Sequence, residues 1–185
     1  MSGSIRDAVD RFMMDAARWV RPQEIVPVST LSGRVIAKLL VRHPPLRAMA
    51  WFRLASALAS SGVRGVPSWI QRRLLRLYGL ELTPGTPIGG GLYIAHPVGC
   101  VLVAEDIGTN VTIIGQVTFG TRTDNRWPIV GDDTFFGVGA RVLGGITVGA
   151  AARIGANAVV LDDVAAGATA VGNPAETVRT RTATR

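Results

Sequence analysis

Residues 136–161 have the sequence FGVGARVLGGITVGAAARIGANAVVL, and this stretch decides the fold. An apolar residue stands at every sixth position, usually followed by glycine, and the spacing runs from Val130 to Ala166 without a slip. A helix repeats every 3.6 residues and a strand every 2, so neither explains a sustained period of six. Hexapeptide repeats are typical of β-helical solenoids, in which each repeat forms a short strand and a corner. We therefore predict a parallel β-solenoid.

The six-residue register extends upstream with two interruptions. One extra residue precedes Ile107, and a five-residue excess separates Phe119 from Val130. The expected inward positions are Ile88, Ile94, Cys100, Ile107, Ile113, Phe119, Val130, Phe136, Val142, Val148, Ile154, Val160 and Ala166. Three hexads make one coil of a triangular prism, so these thirteen hexads predict a little more than four coils. The segment that holds this excess, TRTDNRWP at 121–128, is expected to form a protruding loop, where function tends to lie.

Charge and periodicity divide the chain near residue 80. Residues 1–80 carry 13 Lys and Arg against 4 Asp and Glu, whereas residues 81–185 carry 7 against 9. Helical periodicity stops near residue 80, after four predicted helices at about 5–20, 32–42, 46–60 and 67–78. We predict an α+β protein with a basic α-helical region over 1–80, a β-helix domain over 81–178 and a disordered tail over 179–185.

The sequence also predicts a cytoplasmic protein. No apolar stretch reaches the roughly 18 residues of a membrane span, and the N-terminus has acidic residues where a signal peptide would be basic and then apolar. The single cysteine, Cys100, stands at an inward position, which favours a buried, reduced thiol.

Four segments carry a family resemblance. They are LTPGTPIGGGLYIAHPVG (82–99), QVTFGT (116–121), the run at 136–161 and VGNPA (171–175). With these segments the chain resembles the left-handed parallel β-helix acyltransferases of the hexapeptide-repeat superfamily, and is most similar to the serine acetyltransferase branch. The resemblance covers about 81–178 and implies an acetyl-CoA-dependent O-acetyltransferase. It also implies a homotrimer with active sites between adjacent prisms, with a dimer of trimers as an alternative.

The resemblance places a histidine general base at His96 and its acidic partner at Glu81, where serine-specific enzymes have aspartate. The chemistry agrees, because a hydroxyl is a poor nucleophile at neutral pH and needs a base with a pKa near 7. The chain has two histidines, and His43 precedes a Pro-Pro pair in the helical region. Glu81 lies about one coil before His96, so we expect it to stack nearby and fix the tautomer. The alternative is that His96 only turns a corner ahead of Pro97.

The acceptor pocket departs from the serine-specific pattern. The aspartate that precedes the family's histidine is Ala95 here, and a second active-site histidine falls on Trp127, while Arg126 matches the arginine that grips the serine carboxylate. Loss of an ammonium-binding carboxylate removes a charge-assisted contact of the kind that gives selectivity. The main prediction is therefore a sugar or small-metabolite hydroxyl as acceptor, with serine O-acetylation as the alternative. Arg126 and Asp124 equally suit a solvated loop pair.

Coenzyme A requires exposed backbone amides and small side chains along its pantetheine arm. Motif matching predicts contacts at Gly120, Thr121, Val138, Gly139, Arg153 and Ala156, with Arg153 aligned with a lysine for the nucleotide phosphates. The alternative for each small residue is a role at a coil corner. The sequence has no metal-binding cluster, so no metal is expected, and the alternative to an enzyme is a non-catalytic β-helix scaffold.

The arginines of residues 1–80 are interleaved with Trp19, Trp51, Phe52 and Trp69. One interpretation is peripheral contact with an anionic membrane, at its inner face. The other is that these helices pack on the solenoid and on neighbouring subunits, with a solvated arginine face. No recognised nucleic-acid-binding module is present, so nucleic acid is not expected as a partner.

Overall fold

The computed structural model describes residues 5–21, 26–123 and 125–178, so the predicted tail at 179–185 and Asp124 lie outside the described residues. Within those ranges, four helices come first: α1 (Ile5–Ala17), α2 (Gly33–Arg42), α3 (Pro44–Ser60) and α4 (Val66–Tyr78), with a 3₁₀ turn at Val28–Thr30. The sequence predicted these helices closely, except that α1 ends at Ala17 and not at residue 20.

Local sequence signals set the helix ends. The Ser32 hydroxyl caps α2 by accepting a hydrogen bond from the Val35 amide, and His43 separates α2 from α3. Prolines stand in the first turns of α3 and α4, where a missing N–H costs no helical hydrogen bond. Gly79 ends α4 in the left-handed conformation, and the first strand follows at once.

Fourteen short strands follow in the described residues. They are β1 (Leu80–Leu82), β2 (Tyr93–His96), β3 (Cys100–Leu102), β4 (Asp106–Ile107), β5 (Thr112–Gly115), β6 (Thr118–Gly120), β7 (Ile129–Val130), β8 (Phe135–Phe136), β9 (Arg141–Leu143), β10 (Thr147–Val148), β11 (Arg153–Ile154), β12 (Val159–Val160), β13 (Thr169–Gly172) and β14 (Ala175–Val178). Parallel pairing sorts them into the three faces of a prism.

Each face repeats once per coil. Face one has the order β1-β3-β6-β9-β12, face two β4-β7-β10 with isolated bridges at both ends, and face three β2-β5-β8-β11-β13. The antiparallel strand β14 covers the end of face three. Every face thus has about five rungs, more than the four and a little that the hexad count predicted.

The hexad positions fill the core as predicted, with one exception. From Ile88 to Val160 every expected inward residue is at most 1% exposed, and the Phe119 and Phe136 rings meet edge to face at 4.9 Å between centroids. Ala166, however, is exposed. The last coil is two residues shorter than the hexad period requires, so Val164 pairs with Val148 and takes the inward place.

A buried ion pair fixes the helices to the first coil. Arg53 of α3 donates to both carboxylate oxygens of Asp15 of α1, at 2.9 and 3.0 Å, and also to the carbonyl oxygens of Ile88 and Gly89. Asp15 in turn accepts from the Leu92 amide at 2.8 Å. Burial raises the pKa of the Asp15 carboxyl, and the Arg53 charge and the Leu92 amide oppose that rise. Backbone groups that the solenoid leaves unpaired are therefore satisfied by the helical region.

Candidate functional site

His96 ends β2 with its side chain exposed at the corner between face three and face one. The turn that follows it is held by the Cys100 amide, which donates to the Pro97 carbonyl at 3.0 Å, and by the Cys100 thiol, which donates to the His96 carbonyl at 3.4 Å. The Gly99 amide also donates to the Gly79 carbonyl at the end of α4. The backbone on both sides of the histidine is thus fixed while its imidazole faces solvent.

At the same corner, the following coils have residues with small side chains or with an accessible backbone. His96 stands in register with Gly115 in the next coil. The Gly139 amide donates to the Gly115 carbonyl, and the Asn157 amide donates to the Val138 carbonyl, each at 2.9 Å. We call this column, which comprises His96, Gly115, Val138–Gly139 and Ala156–Asn157, the His96 corner. Val138 and Ala156, two of the predicted coenzyme contacts, are exposed there.

The His96 corner also includes two polar residues, Arg141 and Gln116, that the motifs did not predict. Arg141, which begins β9, donates from Nη1 to the carbonyl oxygen of Gln116. Gln116 follows Gly115 with a positive φ of 54°, and its side chain is exposed. An arginine directly before an inward valine, on a face with small neighbours, was the available signal. A positive charge at this corner suits an anionic ligand.

Cys100 is fully buried behind the His96 corner. Burial raises the pKa of its thiol, although nearby backbone amides and the Arg141 charge act in the opposite direction. The thiol is therefore neutral near pH 7 and belongs to the core, as its inward hexad position predicted.

Glu81 stands on a first coil that is longer than expected. It lies on β1 of face one, half-buried, and its register partner is Val101. In the described part of the chain, no hydrogen bond or ion pair joins Glu81 to His96, which ends a strand of face three. The 15-residue separation does not make one coil here, because the first coil pairs Leu80 with Cys100.

The predicted loop leaves the prism at the opposite edge of face one. Gly120 ends β6, and Thr121 leads into residues 122–128, so both lie at the edge that joins face one to face two. A Cβ on Gly145 would come within 2.5 Å of the Arg126 Cβ, and one on Gly144 within 3.4 Å of the Arg122 Cδ. The Gly144–Gly145 pair of the next coil therefore gives the loop room to lie against the prism. Trp127 is half-buried in this loop, and Arg126 is exposed.

Ala95 and Arg153 are the remaining two predicted site residues. Ala95 is half-buried on β2, next to His96. Arg153 is exposed on β11 of face three, and its guanidinium lies 4.5 Å from the centre of the Phe135 ring. One chain thus gathers His96, Ala95, Val138, Gly139 and Ala156 at one corner. Gly120, Thr121, Arg126 and Trp127 lie at the other edge of face one, and Arg153 lies on face three.

The second histidine has a different environment. The His43 ring packs against Trp19 at a tilt of 38°, with 4.6 Å between ring centroids, and Trp19 packs in turn on Tyr93 at a tilt of 46°. Burial lowers the pKa of His43, and the charge of Arg42 acts in the same direction. Its contacts are those of a residue that packs two helices onto β2.

A groove of about 520 Å³ lies away from His96. It runs between α1, α3 and face two and is lined by Arg11, Ser56, Thr109 and Asp132, among others. Thr109 donates twice to Asp132, and these bonds lower the pKa of that exposed carboxyl. None of the predicted site residues lines the groove, so its size alone does not mark it as the catalytic site.

Known proteins resemble this chain over most of its length. The serine acetyltransferase of Helicobacter pylori is 39% identical over 145 residues, which cover 76% of this chain and 85% of that protein. A structure of soybean serine acetyltransferase complexed with serine has a TM-score of 0.77 at 33% identity, covering 95% of this chain and 70% of that one. A serine acetyltransferase structure in complex with CoA has a TM-score of 0.76 at 29% identity, over 94% and 70% of the two chains. No protein-family profile matches the chain.

Proposed function

The chain belongs to the serine acetyltransferase family, and on that premise we propose that it acetylates the hydroxyl of L-serine, with His96 as the general base. It is an acyltransferase that uses acetyl-CoA as co-substrate. The serine acceptor is favoured over the predicted sugar because curated relatives from several bacteria and a plant carry the name serine acetyltransferase.

The position of His96 carries the proposal. Of the two histidines in the sequence, His43 packs against the Trp19 ring, whereas His96 is exposed at a corner lined by glycine, alanine and open backbone. A general base must reach the proton that it takes, and it must leave space for the two reactants on the same side. Such space continues past Gly115 to Val138 and Ala156, where the pantetheine arm can lie along the coils.

The reaction needs one proton relay. His96 takes the proton of the serine hydroxyl, and the hydroxyl oxygen attacks the carbonyl carbon of the acetyl thioester. The carbon–sulfur bond then breaks, and His96 returns the proton to the departing thiolate of coenzyme A. Arg141, held at the same corner by the Gln116 carbonyl, adds a positive charge that favours the anionic phosphates or the developing oxyanion.

The site is divided between subunits in this proposal. His96 stands at one edge of face one and Arg126 with Trp127 at the other, so a single chain leaves the acceptor contacts away from the base. A rotational trimer of such prisms brings the His96 corner of one copy against the loop edge of the next, because a cyclic interface joins two different surface patches. Arg126 of one subunit then contacts the serine carboxylate beside His96 of another.

Two substitutions support a second acceptor class. Ala95 offers no carboxylate to an ammonium group, and the half-buried Trp127 offers a flat apolar surface. Both would suit a bulkier hydroxyl compound, such as an amino sugar, which is therefore the second candidate acceptor after L-serine.

A thiol-release assay with acetyl-CoA and a panel of acceptors tests the proposal. L-serine, L-homoserine, glucosamine and a nucleotide sugar are compared at equal concentrations, with D-serine as the matched control for recognition. Turnover with L-serine, at least tenfold above D-serine, supports serine acetylation. Turnover confined to the sugars overturns L-serine as the acceptor. If none of the acceptors supports thiol release, the proposed acetyl transfer to these acceptors is overturned.

A further inference from the structure

One face of the helical region exposes large apolar side chains among arginines. Trp51 and Leu54 of α3 are 47% and 43% exposed, and Trp69 and Leu77 of α4 are 49% and 59% exposed. Trp51, Trp69 and Leu77 line one shallow groove between the two helices, with the Arg73 guanidinium 5.1 Å from the centre of the Trp69 ring. Arg72 and Arg76 are exposed on the same side of α4, since they lie three and seven residues after Trp69. We call these residues the Trp-Arg face.

The charge of this region has one sign. Between Glu24 and Glu81 the sequence contains no acidic residue, and it contains nine basic ones: Arg34, Lys38, Arg42, Arg47, Arg53, Arg64, Arg72, Arg73 and Arg76. Arg53 is neutralised by Asp15, but Arg72, Arg73 and Arg76 share an exposed helix face with Trp69. The potential over the Trp-Arg face is therefore positive.

The structure narrows the sequence-based hypothesis of membrane contact. Trp19 and Phe52, two of the four aromatic residues named for it, are buried and unable to meet a surface. Trp51 and Trp69 remain, on neighbouring helices and facing the same groove. None of the helices in the described ranges is long and apolar enough to cross a membrane.

We propose that the Trp-Arg face docks on a membrane surface rich in anionic lipid. Exposed tryptophan and leucine side chains partition into the boundary between headgroups and acyl chains, and arginines beside them pair with lipid phosphates while their stems cover apolar surface. A second copy of the chain is a poor occupant, because two such faces would bring like charges together without acidic partners. Charge complementarity thus selects an anionic lipid layer.

Docking would act next to the proposed catalytic corner. Gly79 directly follows α4, and a Cβ there would lie 3.3 Å from the Cα of Val98, which is two residues after His96. The inference does not depend on the identity of the acceptor, because it concerns a surface outside the acetyl-transfer site.

Vesicle flotation with the full chain tests the inference. Vesicles of phosphatidylcholine alone are compared with vesicles containing phosphatidylglycerol, at low salt and at high salt. We expect binding only to the anionic vesicles, and its loss at high salt. Arg72→Gln, Arg73→Gln and Arg76→Gln should each weaken binding about fivefold. Replacement of Trp69 by Ser should also remove most binding, whereas Leu75→Ser, at an exposed position on another side of α4, should not.

Circular dichroism and the thiol-release rate confirm that each variant is folded. The inference is overturned if the native chain does not float with anionic vesicles, or if Trp69→Ser and Leu75→Ser bind equally well. It is also overturned if Trp69→Ser lowers the oligomeric state in light scattering, since the face would then be a subunit interface. If the native chain binds anionic vesicles but does not transfer acetyl groups, the proposed function is contradicted and the membrane inference still stands.

Discussion

Gly115 lies directly beside His96 in the parallel ladder of face three, and a Cβ on Gly115 would come 3.1 Å from both the Cβ and the carbonyl oxygen of His96. A contact of 3.1 Å is tighter than most contacts of a Cβ atom in proteins. Either His96 or the added methyl group would therefore have to move by a few tenths of an ångström. The position of the imidazole therefore depends on the absence of a side chain in the next coil.

Gly115→Ala should displace His96 and lower kcat on the order of tenfold to a hundredfold, because misplacing a catalytic group by less than 1 Å weakens proton transfer strongly. The KM for acetyl-CoA should change little. Steady-state kinetics measures both, and Gly33→Ala serves as the matched control because a Cβ there meets nothing within 4 Å. Equal kinetics for Gly115→Ala and the control would show that His96 is not positioned by this contact.

A shared site between subunits predicts complementation. His96→Ala and a double variant of Arg126→Ala with Trp127→Ala should each be inactive alone, and co-expression should restore roughly a quarter of native activity if each mixed trimer regains one of three sites. In the control pair, the loop variant carries Arg122→Ala in place of Arg126→Ala. Arg122 is suitable because it contacts the Leu161 carbonyl of its own chain. If the mixed trimers recover no activity, the base and the loop belong to the same site within one chain.

The buried thiol of Cys100 should resist alkylation. Burial raises its pKa above that of an exposed cysteine, so at pH 8 the thiolate is scarcer in the folded protein than in the unfolded chain, and the sulfur is also out of reach. Intact mass after iodoacetamide treatment should show almost no adduct in buffer and one adduct in denaturant. Rapid labelling of the folded protein would mean that the backbone at the His96 corner opens and exposes the Cys100 sulfur to the reagent.

Removal of one partner of the buried Asp15–Arg53 pair should be among the most destabilising single substitutions in the helical region. Asp15→Ala leaves the Arg53 guanidinium buried without its partner, at a cost of about 3–5 kcal/mol in the free energy of unfolding. Asp10→Ala, an exposed change on the same helix, should cost less than about 0.5 kcal/mol. Urea denaturation at one fixed protein concentration measures both. Equal midpoints would mean that the helical region does not depend on this pair.

The repeat itself made most of the fold predictable. A left-handed parallel β-helix after a helical region is confirmed, because each hexad encodes an inward side chain and a corner independently of distant residues. Ala166 was mispredicted because a shortened last coil is visible only through the pairing of Val164 with Val148. The Asp15–Arg53 contact spans 38 residues and carries no local signal, so sequence periodicity could not reveal it.

The site was less predictable than the scaffold. His96 could be proposed as the base because one motif contains it and the chain has a single other histidine. The role of Glu81 stays a prediction, since its distance from His96 depends on a first coil of unusual length. Arg141 was missed because its contact with the Gln116 carbonyl follows from stacking across 25 residues. The coenzyme contacts and the trimer stay predictions as well, because they involve molecules outside a single chain.

The most direct test is the turnover number of His96→Gln with L-serine and acetyl-CoA, measured by thiol release beside the affinity for coenzyme A. Glutamine keeps the hydrogen-bonding character of the side chain and removes the base. If His96 is the general base, we expect kcat to fall on the order of a hundredfold to ten-thousandfold, with the affinity for coenzyme A nearly unchanged. A variant that retains kcat within a few-fold of the native enzyme would contradict this role.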